Sequence, residues 1–391
     1  MRPAAGAQGE LQRLTEKVAA FIRRADEGQT GESDLDDLAR EVFAFQFEHI
    51  EPYRNLCRRE GRTPDRVTSW RGIPAVPAQA FKQYSLFGAA PEAVVKTFRS
   101  SGTSDAARTS QAHFSQSGLD LMDVAVAANA RRALFPDGRR TRILVLTPPP
   151  EKVPFMIMVH GMAHIIRTFG LEQSRFLAGP GGLDFPTLWQ ELEGCQRAEI
   201  PVSLLGSSFG FVHFFDWMER EGRRLSLPPG SRLMDAGGYK GRSREVGRDE
   251  FVTWASSMIG VAGRSVINLL GMTEMASQIY DRIAGDGPAR MKAPPGWVRT
   301  EVVDPRRSGP NGPEPVADGA VGLLRHLDLA NVERPAMIQS EDLGRRVAPA
   351  GPNASAGFEI LGRAKGAEPR GCSLSVEDVR VPRAREAGAH P

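Results

Sequence analysis

The chain has 391 residues, and its 50 Lys and Arg residues against 47 Asp and Glu residues give a formal net charge of +3. This near balance leaves no basic excess for nucleic acid or an anionic membrane, so neither is expected as a partner. Its cysteines, Cys57, Cys195 and Cys372, are odd in number and widely spaced. That pattern argues against a disulfide framework or a zinc site and is typical of a reducing cytoplasm.

Targeting and membrane segments are not expected. The first 14 residues lack the apolar core of a signal peptide. The longest apolar stretch, Val153 to Ile166, carries two histidines and is shorter than the roughly 20 residues that span a bilayer. The sequence therefore predicts a cytoplasmic protein with no membrane span.

The first hundred residues are predicted to be helical and then irregular. Within residues 11–60, Leu35, Leu38, Val42 and Phe45 recur at helical spacing and give one apolar face. Residues 61–92 are rich in Pro and turn signals, which predicts a connection laid over the surface.

Strand and helix patterns alternate from residue 94 onward. A β-like stretch at 94–98 precedes a predicted helix at 119–134, and buried strands are predicted at 143–146, 201–205, 232–236 and 266–270. Residues 305–320 are predicted to form a surface loop, and 321–363 short β-segments. Short apolar strands with helices between them indicate an α/β fold, in which ligands collect at the carboxyl ends of strands.

Two glycine-containing loops that follow predicted strands are candidates for nucleotide contacts. Small hydroxyl and glycine residues at 100–104 can wrap backbone N–H groups around phosphate, although the Walker A spacing is absent. Gly237 and Gly238 allow a flat ring to approach the backbone, and Tyr239 offers a stacking face. Taken alone, each loop is more often an ordinary turn.

Three later segments carry charged or nucleophilic groups. In the Gly-Met-Thr-Glu segment, Thr273 can donate to a phosphate and Glu274 can hold Mg²⁺; the alternative is a helix start capped by Thr273. Asp342, before a Leu-Gly turn, can accept from both hydroxyls of a ribose. The Gly-rich, charged stretch from 362 to 374 predicts an exposed hinge or loop, where basic Arg370 favours the thiolate form of Cys372.

Taken in order, these segments resemble the motif series of the acyl-adenylate-forming superfamily. Within it, the chain is most similar to the acyl-protein synthetase (LuxE) family and next to the phenylacetate–CoA ligase branch. The resemblance runs from about residue 40 to 380 and is carried most specifically by the segments Gly-Gly-Tyr-Lys at 237–240 and Arg-Gly-Cys-Ser-Leu at 370–374.

The resemblance implies a two-part organisation. Residues 1–361 would form the large adenylate-forming N-terminal domain, with helix-flanked β-sheets and a smaller β subdomain. Residues 362–391 would be the C-terminal domain truncated to a hinge or loop remnant. Because that domain normally brings the catalytic lysine, Lys240, Lys365 or a partner protein would have to replace it.

The resemblance also implies ATP and Mg²⁺ as cofactors and a set of contacts to them. By likeness to the family, the phosphate-binding residues are Ser101, Gly102, Thr103 and Ser104, although the following residues depart from the usual Thr-Gly-x-Pro-Lys and are expected to hold the triphosphate less firmly. The implied nucleoside contacts are Gly238 and Tyr239 at the adenine, Asp342 at the ribose and Arg363 at the ribose–phosphate edge.

The implied catalytic residues are Thr273 and Glu274 at the α-phosphate and metal, Lys240, His160 beside the acyl pocket, and Cys372. His160 has competitors for its role in His164 and His213, and a lone His in an apolar segment is often a satisfied core residue. The apolar side chains weighed for the acyl pocket are Phe155, Met156, Met158, Phe209, Phe211 and Phe214, which the sequence does not distinguish from core.

The expected function is ATP-dependent activation of a carboxylic acid, fatty or otherwise apolar, as acyl-AMP with release of pyrophosphate. The acyl group would then pass to a thiol, first Cys372 and finally an acceptor protein or carrier thiol. Two alternatives stay open: an acyl-CoA or acyl-carrier-protein ligase, and a non-catalytic ATP-binding subunit of an acyl-processing complex.

Overall fold

The structure is a computed structural model, and it describes residues 5–100, 109–179, 182–238, 243–283, 290–309, 312–348 and 357–364. Its helices are α1 (Ala5–Asp26), α2 (Glu32–His49), α3 (Glu51–Arg59), α4 (Gln116–Ala133), α5 (Ile157–Phe169), α6 (Phe185–Arg197), α7 (Ser208–Arg220) and α8 (Arg248–Ile259).

The strands of the amino-terminal half are β1 (Val76–Pro77), β2 (Lys96–Arg99), β3 (Gln111–Phe114), β4 (Arg142–Val145), β5 (Arg175–Phe176), β6 (Ala178–Gly179), β7 (Gly182–Leu183) and β8 (Val202–Ser207). Those that follow are β9 (Arg232–Ala236), β10 (Val266–Leu270), β11 (Ile279–Ile283), β12 (Arg290–Ala293), β13 (Val298–Gly309), β14 (Gly312–Pro315), β15 (Val321–Asp328), β16 (Met337–Val347) and β17 (Gly357–Arg363).

Five parallel strands form one half of the main sheet, in the order β10-β9-β8-β4-β5. Leu204 and Leu233 pack into one hydrophobic core, and their neighbours Leu205 and Met234 pack into the core on the opposite face. A parallel sheet covered on both faces favours such continuous apolar runs. The buried strands predicted at 143–146, 201–205, 232–236 and 266–270 are therefore confirmed.

Helices cover the two faces of these parallel strands. One core takes its helical residues from α1 to α5, and the other from α6, α7 and α8 together with Val159 of α5. Side chains cap the N-termini of three helices: Ser115 accepts the Gly118 N–H at 3.1 Å, Asp184 the Thr187 N–H at 3.0 Å, and Ser207 the Gly210 N–H at 3.2 Å. The α/β fold and the helix predicted at 119–134 are confirmed, and the helical region 11–60 forms α1 to α3.

The sheet continues past β10 as an antiparallel half, in the order β11-β12-β17-β16-β15-β13-β14. The predicted surface loop at 305–320 was wrong in part, because β13 runs through Gly309 and β14 covers Gly312–Pro315. Prolines are tolerated in β14 because it lies at the edge of the sheet formed by the described strands, where only one of its sides is paired.

The proline-rich connection at 61–92 also differs from the prediction. It contains short 3₁₀ turns, but Trp70, Ile73 and Phe81 are buried, and β1 pairs in parallel with β16. Proline limits regular hydrogen bonding without preventing burial of apolar neighbours. The connection is thus part of the core.

Of the helices in the described ranges, none combines the length and apolarity needed to cross a bilayer. The predicted division of the chain near residue 361 remains a prediction, because β17 ends at Arg363 and residues 365–391 lie outside the described ranges.

Candidate active site

A cavity of about 540 Å³ opens at the carboxyl ends of β9 and β10, facing the β16–β17 hairpin. This volume is in the range of small-molecule sites. Its wall is formed by Met158, Ala236, Gly237, Gly238, Arg248, Asn268, Leu269, Leu270, Gly271, Met272, Asp281, Met291, Lys292, Asp342, Phe358, Glu359, Ile360, Leu361, Gly362 and Arg363. The predicted residues Gly238, Asp342 and Arg363 therefore meet at one cavity.

The glycine loop after β9 presents bare backbone to the cavity. Gly237 has a φ of +76°, which favours glycine, and no heavy atom of a described residue lies within 4 Å of where a Cβ on Gly238 would be. The Ser208 hydroxyl donates to Asp235 Oδ2 at 2.7 Å and lies 3.0 Å from the Gly237 carbonyl oxygen. The loop is thus held at its base, and no described side chain covers Gly238.

Asp342 and Arg363 lie directly opposite each other in the register of β16 and β17. Arg363 Nε is 3.5 Å from Asp342 Oδ1, and the guanidinium also pairs with Glu341. Arg363 Nη1 is buried and makes no hydrogen bond to any described residue. An unsatisfied guanidinium N–H beside a carboxylate fits a ligand with an anionic group next to hydroxyls, such as the ribose and phosphate of a nucleotide.

The Gly-Met-Thr-Glu segment lies between β10 and β11, where it forms a turn. Gly271 and Met272 line the cavity, whereas Thr273 and Glu274 are buried behind it, each about 1% exposed. Asn331 braces the turn through Nδ2, which donates to the Glu274 carbonyl oxygen at 2.7 Å. The alternative of a helix start is therefore wrong, because the chain goes from this turn into a strand.

A buried charged network beneath the cavity was missed by the sequence analysis. Lys292 Nζ lies 2.8 Å from Asp281 Oδ1 and donates to the Asn268 carbonyl oxygen at 2.9 Å. Arg248 Nη1 donates to Asp235 Oδ1 at 2.6 Å, and Arg248 Nη2 is 3.5 Å from Asp281 Oδ2. No local sequence pattern could have predicted this network, because its residues come from five different elements: β9, α8, β10, β11 and β12.

The network fixes the cavity floor and leaves Lys292 no free donor. The third acceptor of the Lys292 ammonium group is Asn268 Oδ1, so all three of its N–H donors have a partner. Burial lowers the pKa of Lys292, and the Asp281 carboxylate opposes that shift. Lys292 is therefore suited to positioning the strand ends rather than to contacting a phosphate.

His160 lies on α5 and does not line the cavity. Its Nε2 is 3.1 Å from Asp123 Oδ1, and His164 Nδ1 is 2.9 Å from Asp123 Oδ2. Partial burial raises the pKa of Asp123, but its hydrogen bonds with the two histidines outweigh burial and hold that pKa below its usual range. The structure thus places His160 in a hydrogen-bonded cluster with Asp123, while Met158, two residues earlier in the chain, lines the cavity.

A small apolar space, called here the inner chamber, has a volume of about 20 Å³ and shares four wall residues with the cavity: Met158, Leu269, Gly271 and Met272. Its full wall is Met122, Val126, Ile157, Met158, Leu269, Gly271, Met272, Met275, Ala276, Ser277 and Gln278.

Of the six apolar residues weighed for the acyl pocket, only Met158 borders either space. Phe211 and Phe214 belong to the core on the opposite face of the sheet, together with Met156. Phe155 packs against that core, and Phe209 is buried elsewhere.

Several predicted site residues lie outside the described ranges. These are Ser101, Gly102, Thr103, Ser104, Tyr239, Lys240 and Cys372, together with Lys365. Their assigned roles remain predictions.

A sequence profile of the family described as "Acyl-protein synthetase, LuxE" matches residues 35–380. The chain belongs to the LuxE family. Two relatives, both named long-chain-fatty-acid–luciferin-component ligase, come from Aliivibrio fischeri and Vibrio harveyi. The first is 23% identical over 350 residues, 88% of each chain. The second is 20% identical over 345 residues, 88% of this chain and 87% of the relative.

Solved structures of 2-hydroxyisobutyryl-CoA ligase share the fold. The open conformation, solved with 2-HIB-AMP and CoA, gives a TM-score of 0.59 at 16% identity, covering 85% of this chain and 75% of the ligase. The thioesterification state gives 0.58 at 16% identity, covering 85% and 69%.

Membership of the LuxE family makes this chain a ligase of the adenylate-forming kind. It activates an acyl group with ATP and transfers it, as the motif series predicted. The identification of the family and the enzyme class from sequence is confirmed.

Proposed function

We propose that the cavity binds ATP and that the chain joins a carboxylic acid to AMP before passing the acyl group to a thiol. The observation that carries this proposal is the convergence of three predicted nucleotide contacts, Gly238, Asp342 and Arg363, at the carboxyl ends of the strands. The open glycine loop suits a flat base, and the opposed Asp342 and Arg363 suit ribose hydroxyls and phosphate.

The first step is in-line attack of a substrate carboxylate oxygen on the α-phosphorus of ATP. A C–O–P link forms, the bond from the α-phosphorus to the bridging oxygen breaks, and pyrophosphate leaves. Asp342 accepts hydrogen bonds from the ribose hydroxyls, and Arg363 donates its unused N–H to the phosphate side. Both groups fix the nucleotide so that the acid meets it in one orientation.

Glu274 is the residue proposed for Mg²⁺. In nucleotide sites Mg²⁺ is usually bound by one or two carboxylates together with the substrate phosphates and water. A single carboxylate such as that of Glu274 is therefore a sufficient protein ligand. When bound, the ion would neutralise charge on the phosphates. Glu274 lies two residues beyond Met272 of the cavity wall, and Asn331 holds its backbone in place.

In the second step a thiol attacks the acyl carbonyl of acyl-AMP. The C–S bond forms, the C–O bond to AMP breaks, and the thiol loses its proton. We propose Cys372 as the first acceptor, on the basis of its Arg-Gly-Cys-Ser setting and the family. An acceptor protein would follow, and a fatty acid is the substrate class supported by the names of the two relatives.

The test is ATP- and acid-dependent pyrophosphate release over a panel of fatty, aryl and amino acids, combined with ATP titration calorimetry. Arg363→Gln should weaken ATP binding, because it removes the positive charge and the Nη1 donor of the guanidinium at the cavity wall. Arg346→Gln is the matched control, since Arg346 lies on the same hairpin but pairs with Asp318 at the surface. Equal ATP affinity in the two variants, or no pyrophosphate release with any acid, would contradict the proposal.

A further inference from the structure

The connection between β15 and β16, residues 329–336, contacts the Gly-Met-Thr-Glu turn through Asn331. The Asn331 side chain is completely buried. Its Nδ2 donates to the carbonyl oxygens of Glu274 at 2.7 Å and Pro335 at 3.2 Å, and its Oδ1 accepts the Ala276 N–H at 3.1 Å. Asn331 therefore holds the turn at two points, on either side of one intervening residue.

Arg334 completes the hydrogen bonding of Asn331 and links it to β3. Arg334 Nη2 donates to Asn331 Oδ1 at 2.8 Å, and Nη1 donates to the His113 carbonyl oxygen at 3.1 Å. A primary amide has two N–H donors and two acceptor lone pairs, so all four positions of the Asn331 side chain are filled. The guanidinium carbon of Arg334 lies 3.6 Å from the centroid of the Phe114 ring. A continuous bridge of contacts thus joins the turn to β3.

The charge of Arg334 is balanced inside the protein. Glu333 Oε1 lies 3.4 Å from Arg334 Nη1, and both side chains are buried. Burial lowers the pKa of Arg334 to about 10, and the Glu333 carboxylate opposes that shift, so the guanidinium is charged at neutral pH. Glu333 also accepts the Ser115 N–H at 2.9 Å and the Ser115 hydroxyl at 2.6 Å. A buried ion pair adds little net stability compared with apolar packing, so the effect to test is the position that it gives to Asn331.

The two segments that the bridge joins are those that the proposed function puts around the phosphates. β2 ends at Arg99 and β3 begins at Gln111, so this hairpin flanks the predicted phosphate-binding residues 101–104 in the sequence. The turn carries Thr273 and Glu274, which are proposed for the α-phosphate and the metal. The bridge therefore connects the supports of both sets of phosphate contacts.

Resting on the proposed function, we infer that Asn331 and Arg334 are positioning residues for the adenylation step. They set the turn against β3, so that Thr273 and Glu274 meet the α-phosphate in the geometry that the reaction requires. The proposed nucleoside contacts lie on other elements, the loop after β9 and the β16–β17 hairpin. Interactions that strengthen only as the phosphoryl group transfers raise kcat without raising ground-state affinity. Loss of the bridge should therefore lower kcat and leave ATP affinity unchanged.

Asn331→Asp is the test variant, and Asn129→Asp is its matched control. Aspartate keeps the size of the side chain and its acceptor oxygen, but places a second oxygen against the Glu274 carbonyl. Asn129 is also completely buried, and its Nδ2 donates to a carbonyl of the same β10–β11 connection, that of Gln278, at 2.5 Å. Its Oδ1 likewise accepts from an arginine three residues later, Arg132, at 3.0 Å. The control thus loses the same kind of hydrogen bond four residues beyond Glu274.

Two measurements separate positioning from folding. Calorimetric titration with ATP in the absence of acid gives the Kd and, from the stoichiometry, the fraction of protein that binds. Pyrophosphate release with the best acid gives kcat, which is divided by that fraction. Asn331→Asp should lower the corrected kcat at least about tenfold, because a small misplacement of reacting groups is costly. Its ATP Kd should stay within about twofold of wild type, and Asn129→Asp should keep both values within about twofold.

Arg334→Lys tests the other half of the bridge. Lysine keeps the positive charge beside Glu333, but a single ammonium replaces the forked guanidinium that reaches both His113 and Asn331. The corrected kcat should fall in the same direction as in Asn331→Asp, again with an unchanged ATP Kd.

Two results would overturn the inference while leaving the proposed function standing. One is a corrected kcat in both Asn331→Asp and Arg334→Lys that falls no further than in Asn129→Asp. The other is an ATP affinity that weakens as much as kcat, since the bridge would then support binding in general. If folded wild type binds no ATP, or releases pyrophosphate with no acid, the proposed function fails and the inference fails with it.

Discussion

Lys292→Met tests whether the buried network supports the cavity floor. Methionine keeps the length of the side chain but removes the charge that lies 2.8 Å from Asp281 Oδ1, where each side chain is 7% exposed. Breaking a buried ion pair by removing one partner costs about 3–5 kcal/mol. The lower part of that range is expected, because Arg248 Nη2 at 3.5 Å and the Asn268 N–H at 3.1 Å still face the Asp281 carboxylate.

The same variant should weaken ATP binding. The Lys292 ammonium holds Asn268 through both its carbonyl and side-chain oxygens, and Asn268 lies on the cavity wall just before Leu269 and Leu270. Loss of that contact frees the end of β10, so the nucleotide meets a less ordered floor. The assay is urea unfolding followed by tryptophan fluorescence, with ATP affinity measured by calorimetry on the same samples.

Two comparisons make the result interpretable. Lys17→Met removes an exposed lysine that pairs with Glu41, and such a change costs about 1 kcal/mol or less. The double variant Lys292→Met/Asp281→Leu removes both charges and should be less destabilised than the single variant, with a coupling of about 0.5–3 kcal/mol. If Lys292→Met costs no more than Lys17→Met, or the double variant loses the sum of both single changes, the network does not hold the floor.

Four further predictions concern single residues. Asp342→Ala should weaken ATP binding about tenfold or more, since each charge-assisted hydrogen bond to ribose contributes about 1.5–3 kcal/mol; unchanged affinity by calorimetry would remove Asp342 from the site. Glu274→Gln should abolish Mg²⁺-dependent pyrophosphate exchange with an unchanged melting temperature, whereas wild-type exchange would exclude the metal role. Cys372→Ser should lose a hydroxylamine-labile acyl adduct, seen by intact mass after incubation with ATP, Mg²⁺ and the acid, while acyl-AMP still forms; transfer at the normal rate would show that the acceptor takes the acyl group directly. Asp123 has its pKa lowered by His160 and His164, so its contribution to stability is present above the unfolded pKa of about 4 and is lost as pH falls through the folded value. The melting-temperature gap between wild type and Asp123→Asn should accordingly be large at pH 5 and narrow toward pH 2, and a pH-independent gap would contradict the assignment.

The amino-acid sequence by itself determined the elements whose signal is local. The apolar runs at 201–205 and 232–236 mark buried strands because both faces of the parallel sheet are covered by helices, so every position along β8 and β9 is buried. The order of short glycine- and charge-containing loops after such strands was enough to indicate the family, and three of the predicted contacts do line one cavity.

Tertiary structure decided the rest, because the decisive partners are distant in sequence. The pairing of Lys292 with Asp281 depends on the register of β11 and β12, and no local periodicity encodes that. From its local sequence, Thr273 could cap a helix or lead into a strand. The turn that leads into the strand is held by Asn331, which donates to the Glu274 carbonyl oxygen from 57 residues away. Burial likewise overrode the turn signals at 61–92, since removing Trp70 and Phe81 from water outweighs the local preference for an exposed connection.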